Sequence, residues 1–222
     1  MVLTKKQLAR YIDHTNLRPQ ATSKDISLLA MEAKEAGFYS VCVNPCYVQY
    51  AKELLKGSDV LVSCVVGFPL GATFPEMKVM EAEKAVKHGA DELDMVINLG
   101  ALKEGRYDLV SREIREVVRV ARGIENVKVI IELPLLTRRE AELACKAILE
   151  GGASFVKTST GFGVRPVTRE DVLLLKEITG GLLKIKAAGG IRTYKQALEL
   201  IEAGAHRLGT SSGYKIWSEA PD

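Results

Sequence analysis

Eight short apolar runs, each followed by an amphipathic helical pattern, fill the sequence from end to end and predict a (β/α)8 TIM barrel with a short N-terminal helix. No composition break or linker interrupts the alternation, so the 222 residues read as a single domain, 1–222. Several of the runs are nearly continuous in Val, Ile and Leu, as expected of strands covered on both faces. Three helical stretches stop in similar phrases, Gly89-Ala90-Asp91, Gly151-Gly152-Ala153 and Gly204-Ala205-His206, each a glycine stop leading into the next strand. A doubly wound open sheet is the structural alternative. It usually needs fewer strands, and no G-x-G-x-x-G follows the first run.

Met1 to Arg10 reads as a short polar helix, and Tyr11–His14 as the first strand. A helix from Ser23 to Ala36 ends at Gly37, ahead of a second strand at Ser40–Val43. Asn44-Pro45 then supplies a cap and a first-turn proline for a helix running to Lys56-Gly57. After the third strand, Val60–Val66, Pro75 opens a helix that stops at His88-Gly89. The fourth strand is Glu92–Ile97, and the helix behind it lies within Leu102–Arg122 and stops at Gly123. Lys128–Leu133 is the fifth strand, and Thr137-Arg138-Arg139-Glu140 is a capping box for a helix to Glu150-Gly151. Ser154–Thr158, Leu183–Ala187 and His206–Gly209 complete the eight, with Thr168-Arg169-Glu170-Asp171 and Thr193 opening the helices between them.

Hydrophobic residues at 47% and charged residues at 27% are ordinary for a globular chain. A net charge of +3 with no basic run argues against nucleic acid as a partner and remains compatible with a small anionic substrate. No stretch approaches the roughly 20 apolar residues of a membrane span, and the start does not read as a signal peptide, so a cytoplasmic protein is expected. Cys42, Cys46, Cys64 and Cys145 lack C-x-x-C spacing and read as reduced thiols, not as a disulfide framework or zinc site. His14, His88 and His206 are scattered, and no metal-ligand constellation is visible. Scarce Asn and Gln beside plentiful Lys, Arg and Glu is a bias common in thermophiles, and thermostability is the expectation it carries.

Chemistry in such barrels sits at the C-terminal ends of the strands. Two lysines stand there in apolar surroundings, Lys157 in the sixth run and Lys186 in the seventh. Strand side chains alternate, so Lys157 shares a face with Phe155 and Ser159, and Lys186 with Lys184 and Ala188. Asp94 shares a face with Glu92, Val96 and Asn98, while Leu93, Met95 and Ile97 face the helices. With the polar faces inward, Lys157, Lys186 and Asp94 converge, joined by Asp13 and Cys42 from the first two strands. At about 6 Å and an effective dielectric near 20, two ammonium groups repel by roughly 2–3 kcal/mol, about a hundredfold in a protonation equilibrium. Burial pushes the same way. One lysine is then expected uncharged and able to form an imine, while the other stays charged against Asp94, which relays protons through water. The bland reading is that a lone lysine at a strand end is a solvated residue or a salt-bridge partner; two lysines and an aspartate on inward faces weigh against it. Lys184 starts its strand at the opposite end and reads as structural. Cys42 reads as a small core thiol, with no histidine evident as its base.

The second signal is glycine-rich. Gly189-Gly190-Ile191-Arg192-Thr193 follows the seventh strand and Gly209-Thr210-Ser211-Ser212-Gly213 the eighth. Barrels commonly bind phosphate there, on loop amides. Glycine lets N–H groups approach an anion, Arg192, Ser211 and Ser212 add donors, and Thr160-Gly161 after the sixth strand supplies another edge. Turns use glycine anyway, so each pair alone is weak; both at the two expected strand ends are more specific.

These residues carry a resemblance. Ile12-Asp13-His14-Thr15, Ser40-Val41-Cys42-Val43-Asn44-Pro45, Val65-Val66-Gly67-Phe68-Pro69, Glu92 to Asn98, Phe155-Val156-Lys157-Thr158-Ser159-Thr160-Gly161-Phe162, Lys186 to Thr193 and Gly209 to Gly213 together resemble the 2-deoxyribose-5-phosphate aldolase family nearly from end to end. The resemblance implies Lys157 as the Schiff-base lysine, Lys186 as the second lysine that lowers its pKa, Asp94 as the proton relay and Asp13 as a supporting carboxylate. It places phosphate contacts on Gly189, Gly190, Arg192, Gly209, Ser211 and Ser212, with Gly161 beside them and Cys42 and Thr158 in the pocket. It implies cleavage of 2-deoxy-D-ribose 5-phosphate to D-glyceraldehyde 3-phosphate and acetaldehyde, no cofactor, and a homodimer or homotetramer. Some relatives carry a longer tail whose terminal tyrosine helps proton transfer; the sequence here, ending Trp217-Ser218-Glu219-Ala220-Pro221-Asp222, departs from that pattern. The rival readings are a keto-acid or transaldolase-like Schiff-base barrel, a phosphate-binding isomerase with carboxylate bases, and a catalytically silent phosphosugar-binding module. Borohydride trapping with acetaldehyde separates the first and last of these, and activity surviving Lys157→Ala marks the second.

Overall fold

The computed structural model describes residues 2–121 and 126–222. Among them, eight parallel strands close into a barrel in chain order: β1 (Ile12–Asn16), β2 (Ser40–Val43), β3 (Leu61–Val66), β4 (Glu92–Val96), β5 (Asn126–Ile130), β6 (Phe155–Lys157), β7 (Lys184–Ala188) and β8 (Arg207–Thr210). Pairing of β1 with β8 shuts the ring. Around it run α1 (Lys5–Ala9), α2 (Ser23–Ala36), α3 (Val48–Leu54), α4 (Pro75–Lys87), α5 (Leu99–Lys103), α6 (Tyr107–Val120), α7 (Arg138–Gly151), α8 (Arg169–Thr179), α9 (Tyr194–Ala203) and α10 (Gly213–Ser218).

The caps act as the residue types dictate. Thr137 accepts from the Glu140 N–H while the Glu140 carboxylate accepts from Thr137, and Thr168 with Asp171 does the same for α8. Gly37, Gly152 and Gly180 end their helices in the left-handed conformation. The predicted and observed bounds differ where local chemistry intervenes. The predicted helix from Asn44 opens as a tight single turn, Pro45–Tyr47, before α3 begins. The stretch within Leu102–Arg122 holds the end of α5 and all of α6, because Gly105 takes φ +72° between them. The predicted stop at Gly123 lies outside the described residues. β5 ends at Ile130 and not at Leu133, since Glu132 adopts a left-handed conformation (φ 46°, ψ 57°) and Pro134 lies in a tight turn.

Alternation sorts the strand residues into two environments. Val41, Val43, Leu93, Met95, Val129, Ile131, Val156, Ile185, Ala187 and Leu208 point outward into a shell shared with the helices. Each fully buried Val, Ile or Leu contributes about 1.5–3 kcal/mol relative to exposure, so this shell holds the barrel together. The inward set is of another kind. Asp13, Ser40, Ser63, Glu92, Asp94, Lys128, Lys157, Lys186 and Arg207 are all buried, none more than 4% exposed. Leu17, Cys42 and Val65, with Phe68 against them, form a small separate apolar cluster. The interior that most barrels fill with branched aliphatics is filled here with ions.

Candidate active site

Register brings the ions together. Lys157 of β6 pairs directly with Lys186 of β7, Asp94 of β4 with Lys128 of β5, and Lys186 with Arg207 of β8. The Lys157 and Lys186 side-chain nitrogens both donate to one oxygen, Asp94 Oδ2, at 2.7 and 2.8 Å. Lys128 takes the other oxygen at 3.0 Å, where the Ser63 hydroxyl also donates at 3.1 Å. Lys186 reaches Asp13 Oδ2 at 2.5 Å. Arg207 bonds Asp13 Oδ1 at 2.5 Å and Glu92 Oε1 at 3.0 Å, and Lys128 bonds Glu92 Oε2 at 2.8 Å. The four residues expected to carry the chemistry, Lys157, Lys186, Asp94 and Asp13, thus stand in one connected network.

Charge and burial oppose each other throughout it. Burial by itself raises the Asp94 carboxyl, but Lys128, Lys157 and Lys186 outweigh it and hold Asp94 well below the usual carboxylate range. Asp13 is lowered in the same way, burial being overcome by Lys186 and Arg207. Burial disfavours the Lys186 ammonium, yet Asp13 and Asp94 outweigh it and push its pKa up, so Lys186 stays charged. Burial raises the Cys42 thiol, which stays protonated.

Above the network opens a cavity of about 540 Å3, walled by the C-terminal ends of β1, β6, β7 and β8. Of the seven buried ions, Lys157 is the one that lines it. Gly161, Gly189, Gly190, Arg192, Gly209 and Ser211 line it as well. Gly189 and Gly190 take φ of +103° and +74°, which turn the chain sharply at the end of β7. The Thr210 hydroxyl donates to Ile191 O at 2.7 Å and ties the two glycine loops together. Gly209 has a further role: a Cβ there would lie 3.1 Å from Lys186 Cε, so its bare backbone makes room for the lysine stem.

Three expected site residues stand elsewhere. Ser212 does not line the cavity, and its N–H is given to the Thr210 hydroxyl at 3.0 Å. Thr158 is buried and off the wall, because its hydroxyl bridges β6 to β7, donating to Ala188 O at 3.1 Å and accepting from the Ala188 N–H at 3.0 Å. Cys42 sits below the wall in the small apolar cluster. Lys184 is exposed at the other mouth, over the Phe155 ring. A larger depression of about 890 Å3 lies beside α3 and α4, lined by Met77, Met80 and Leu70. No member of the ion network lines it.

A model of the DeoC/LacD family of aldolases matches residues 7–219. The chain belongs to that family. Deoxyribose-phosphate aldolase of Thermococcus kodakarensis is 58% identical over 224 residues, covering 99% of this chain and 100% of that protein. The enzyme of the same name from Caldicellulosiruptor saccharolyticus is 55% identical, covering 98% and 100%. The tetrameric deoxyribose phosphate aldolase structure from Aeropyrum pernix matches with a TM-score of 0.91 at 35% identity, covering 97% of this chain and 91% of that one. This DeoC/LacD family member is an enzyme, an aldolase that makes and breaks carbon–carbon bonds. Among its described residues no helix is long and apolar enough to cross a membrane.

The aldolase site holds residues that the motif reading passed over. Lys128, Glu92 and Arg207 form its floor, and the alternation rule that singled out Asp94 also turns Lys128 and Arg207 inward. Glu132, just past β5, accepts from the Thr160 N–H at 2.9 Å and anchors the segment that carries Gly161. Phe162 meets Phe68 edge to face with centroids 5.5 Å apart, joining the loops after β6 and β3.

Proposed function

We propose that the enzyme is a class I aldolase that reversibly cleaves 2-deoxy-D-ribose 5-phosphate to D-glyceraldehyde 3-phosphate and acetaldehyde through a Schiff base on Lys157. The observation that carries this reading is that Lys157 is the single ion of the buried network at the cavity wall, hydrogen-bonded to an aspartate oxygen that it shares with a second lysine. An amine so placed is the nucleophile for a carbonyl. The names of the relatives supply the sugar phosphate, and the glycine loops with Arg192 and Ser211 suit its phosphate.

In the synthetic direction the Lys157 Nζ lone pair adds to the acetaldehyde carbonyl, and the resulting hydroxyl takes a proton, by way of water, from the Asp94–Lys186 pair and leaves as water, which gives the iminium. A methyl proton passes by way of water to the Asp94–Lys186 pair, and the C–H electrons become the enamine. The enamine carbon then attacks the aldehyde of glyceraldehyde 3-phosphate, whose oxygen takes a proton. Water finally hydrolyses the new iminium and frees Lys157. The steps balance with the protein's own groups and call for no cofactor. The same reading carries a cytoplasmic homodimer or homotetramer, checked by its mass in solution.

Borohydride reduction in the presence of acetaldehyde, followed by peptide mass mapping, tests the assignment. The expected product is an ethyl group on Lys157; a tag on Lys186, or none, overturns it. Arg192→Ala is expected to raise KM for the phosphorylated sugar by about 10- to 100-fold, the value of a charge-assisted hydrogen bond, with kcat little changed. Unphosphorylated deoxyribose should be turned over equally by both proteins, and a matching loss on that substrate would remove Arg192 from phosphate binding.

A further inference from the structure

We propose that six of the seven buried ions form a closed, self-neutralising ring, and that this ring is what leaves Lys157 as the amine without a counter-charge of its own. Each carboxylate gives its two oxygens to two different cations. Asp13 holds Arg207 on Oδ1 and Lys186 on Oδ2. Glu92 holds Arg207 on Oε1 and Lys128 on Oε2. Asp94 holds Lys128 on Oδ1 and Lys186 on Oδ2. Followed round, the path runs Asp13, Arg207, Glu92, Lys128, Asp94, Lys186 and back to Asp13. Acids and bases alternate without a gap, and every member meets two partners of opposite sign. Three negative charges stand against three positive ones.

Lys157 is the seventh ion. Its one charged partner among the described residues is Asp94, through the oxygen that Lys186 already uses. The other groups that face the interior or the cavity are engaged elsewhere: Asp25 pairs with Arg18, and Glu32 is hydrogen-bonded to His14. Cys42 from β2 is a buried thiol kept protonated, and Ser63 from β3 is neutral. Glu132, after β5, is engaged at the loop by the Thr160 N–H. With Lys157 protonated the interior therefore carries one surplus positive charge; with Lys157 neutral it carries none. Uncompensated charge in a buried setting is costly, so the balance favours proton loss at the nitrogen that lines the cavity. On this view Glu92, Lys128 and Arg207 touch no substrate. They are positioning residues that set the protonation of Lys157 through the ring, and the inference rests on the reading of Lys157 as the imine-forming residue.

The ring makes predictions of opposite sign from neighbouring residues. The measurement is the rate of borohydride trapping of acetaldehyde against pH, with mass mapping to confirm the site and thermal unfolding to confirm a folded protein. Glu92→Gln removes a ring anion and is expected to move the midpoint of the profile to lower pH. Lys128→Met removes a ring cation and is expected to move it to higher pH. Shifts of about one pH unit or more follow for charges within roughly 6–8 Å at an effective dielectric near 20. The double variant Glu92→Gln/Lys128→Met is neutral again and should return to within a few tenths of the parent midpoint. Should Lys128→Met fail to fold, Arg207→Met removes a ring cation and carries the same sign. A purely structural role predicts lower rates with unmoved midpoints and a double variant worse than either single one. Midpoints that stay fixed, move the same way, or fail to recover in the double variant overturn the ring. Absence of any Lys157 adduct in the parent protein is a different failure, that of the proposed function itself.

Discussion

Lys157→Ala is expected to abolish borohydride-dependent labelling by acetaldehyde and to lower kcat/KM for cleavage by at least about four orders of magnitude. On the proposed mechanism the covalent route splits one difficult carbon–carbon cleavage into easier steps, and each of those needs the nitrogen that this substitution deletes. No neighbour replaces it. Lys186 lies beneath the wall, and Asp13 and Asp94 hold it charged, so it cannot attack a carbonyl. Lys128 is likewise kept charged, burial being outweighed by Asp94 and Glu92, and it does not line the cavity. The substitution leaves the six-ion ring complete, so the variant should unfold at or near the parent temperature. Activity within about tenfold of the parent would return the site to a carboxylate-base mechanism.

Asp94→Asn should be the variant most damaging to both activity and stability. Its carboxylate contacts three lysine side-chain nitrogens, on both oxygens, at 2.7–3.0 Å. Removing one partner of a buried ion pair costs about 3–5 kcal/mol, because the other partner stays behind uncompensated. Proton transfer during imine and enamine formation loses its relay as well, a loss of about 10²–10⁴ in kcat. The pH dependence of stability distinguishes parent from variant. In the parent the Asp94 carboxyl titrates well below its unfolded value, so its stabilisation is present above the ordinary carboxylate range and fades only as pH falls through the depressed value. The raised Lys186 stabilises below the unfolded lysine value and is lost only as pH climbs through its elevated one. Across neutral pH neither group titrates. In the variant Lys186 keeps Asp13 and Lys128 keeps Glu92, but Lys157 has lost its one charged partner, and a buried amine so placed sheds a proton that the unfolded chain keeps, so stability should rise with pH between about 7 and 10 more steeply than in the parent. Urea unfolding across that range is the measurement, and a flat profile for the variant would contradict the role given to Asp94.

Much of the site is legible in the strand alternation. Inward parity groups Asp94 with Glu92 and turns Lys157 and Lys186 the same way. The same parity also turns Lys128 and Arg207 inward, yet in the linear sequence they look like polar residues opening a strand, the place where a solvated side chain is ordinary. Lys184 occupies such a place, and it is exposed. What separates Lys128 from Lys184 is depth in the barrel, which follows from strand stagger and from which neighbour stands alongside. Thr158 shows the converse. It belongs to a site motif, but its hydroxyl is used between two strands.

The sequence by itself determined the number and order of the strands, most of the helices between them and the caps that delimit these, the face on which each strand carries its ions, and the strand ends where glycine-rich loops gather; it merged α5 with α6 and passed over α10. These follow from local rules of period, propensity and capping that act within a few residues. Only the tertiary structure decided that Lys157 and Lys186 are direct neighbours, that one aspartate serves three lysines, and that Lys157 alone of the ions reaches the cavity. Those outcomes depend on closure of β8 onto β1 and on the register between strands. Closure brings residues nearly two hundred positions apart, Asp13 and Arg207, to 2.5 Å and turns separate buried charges into one balanced system.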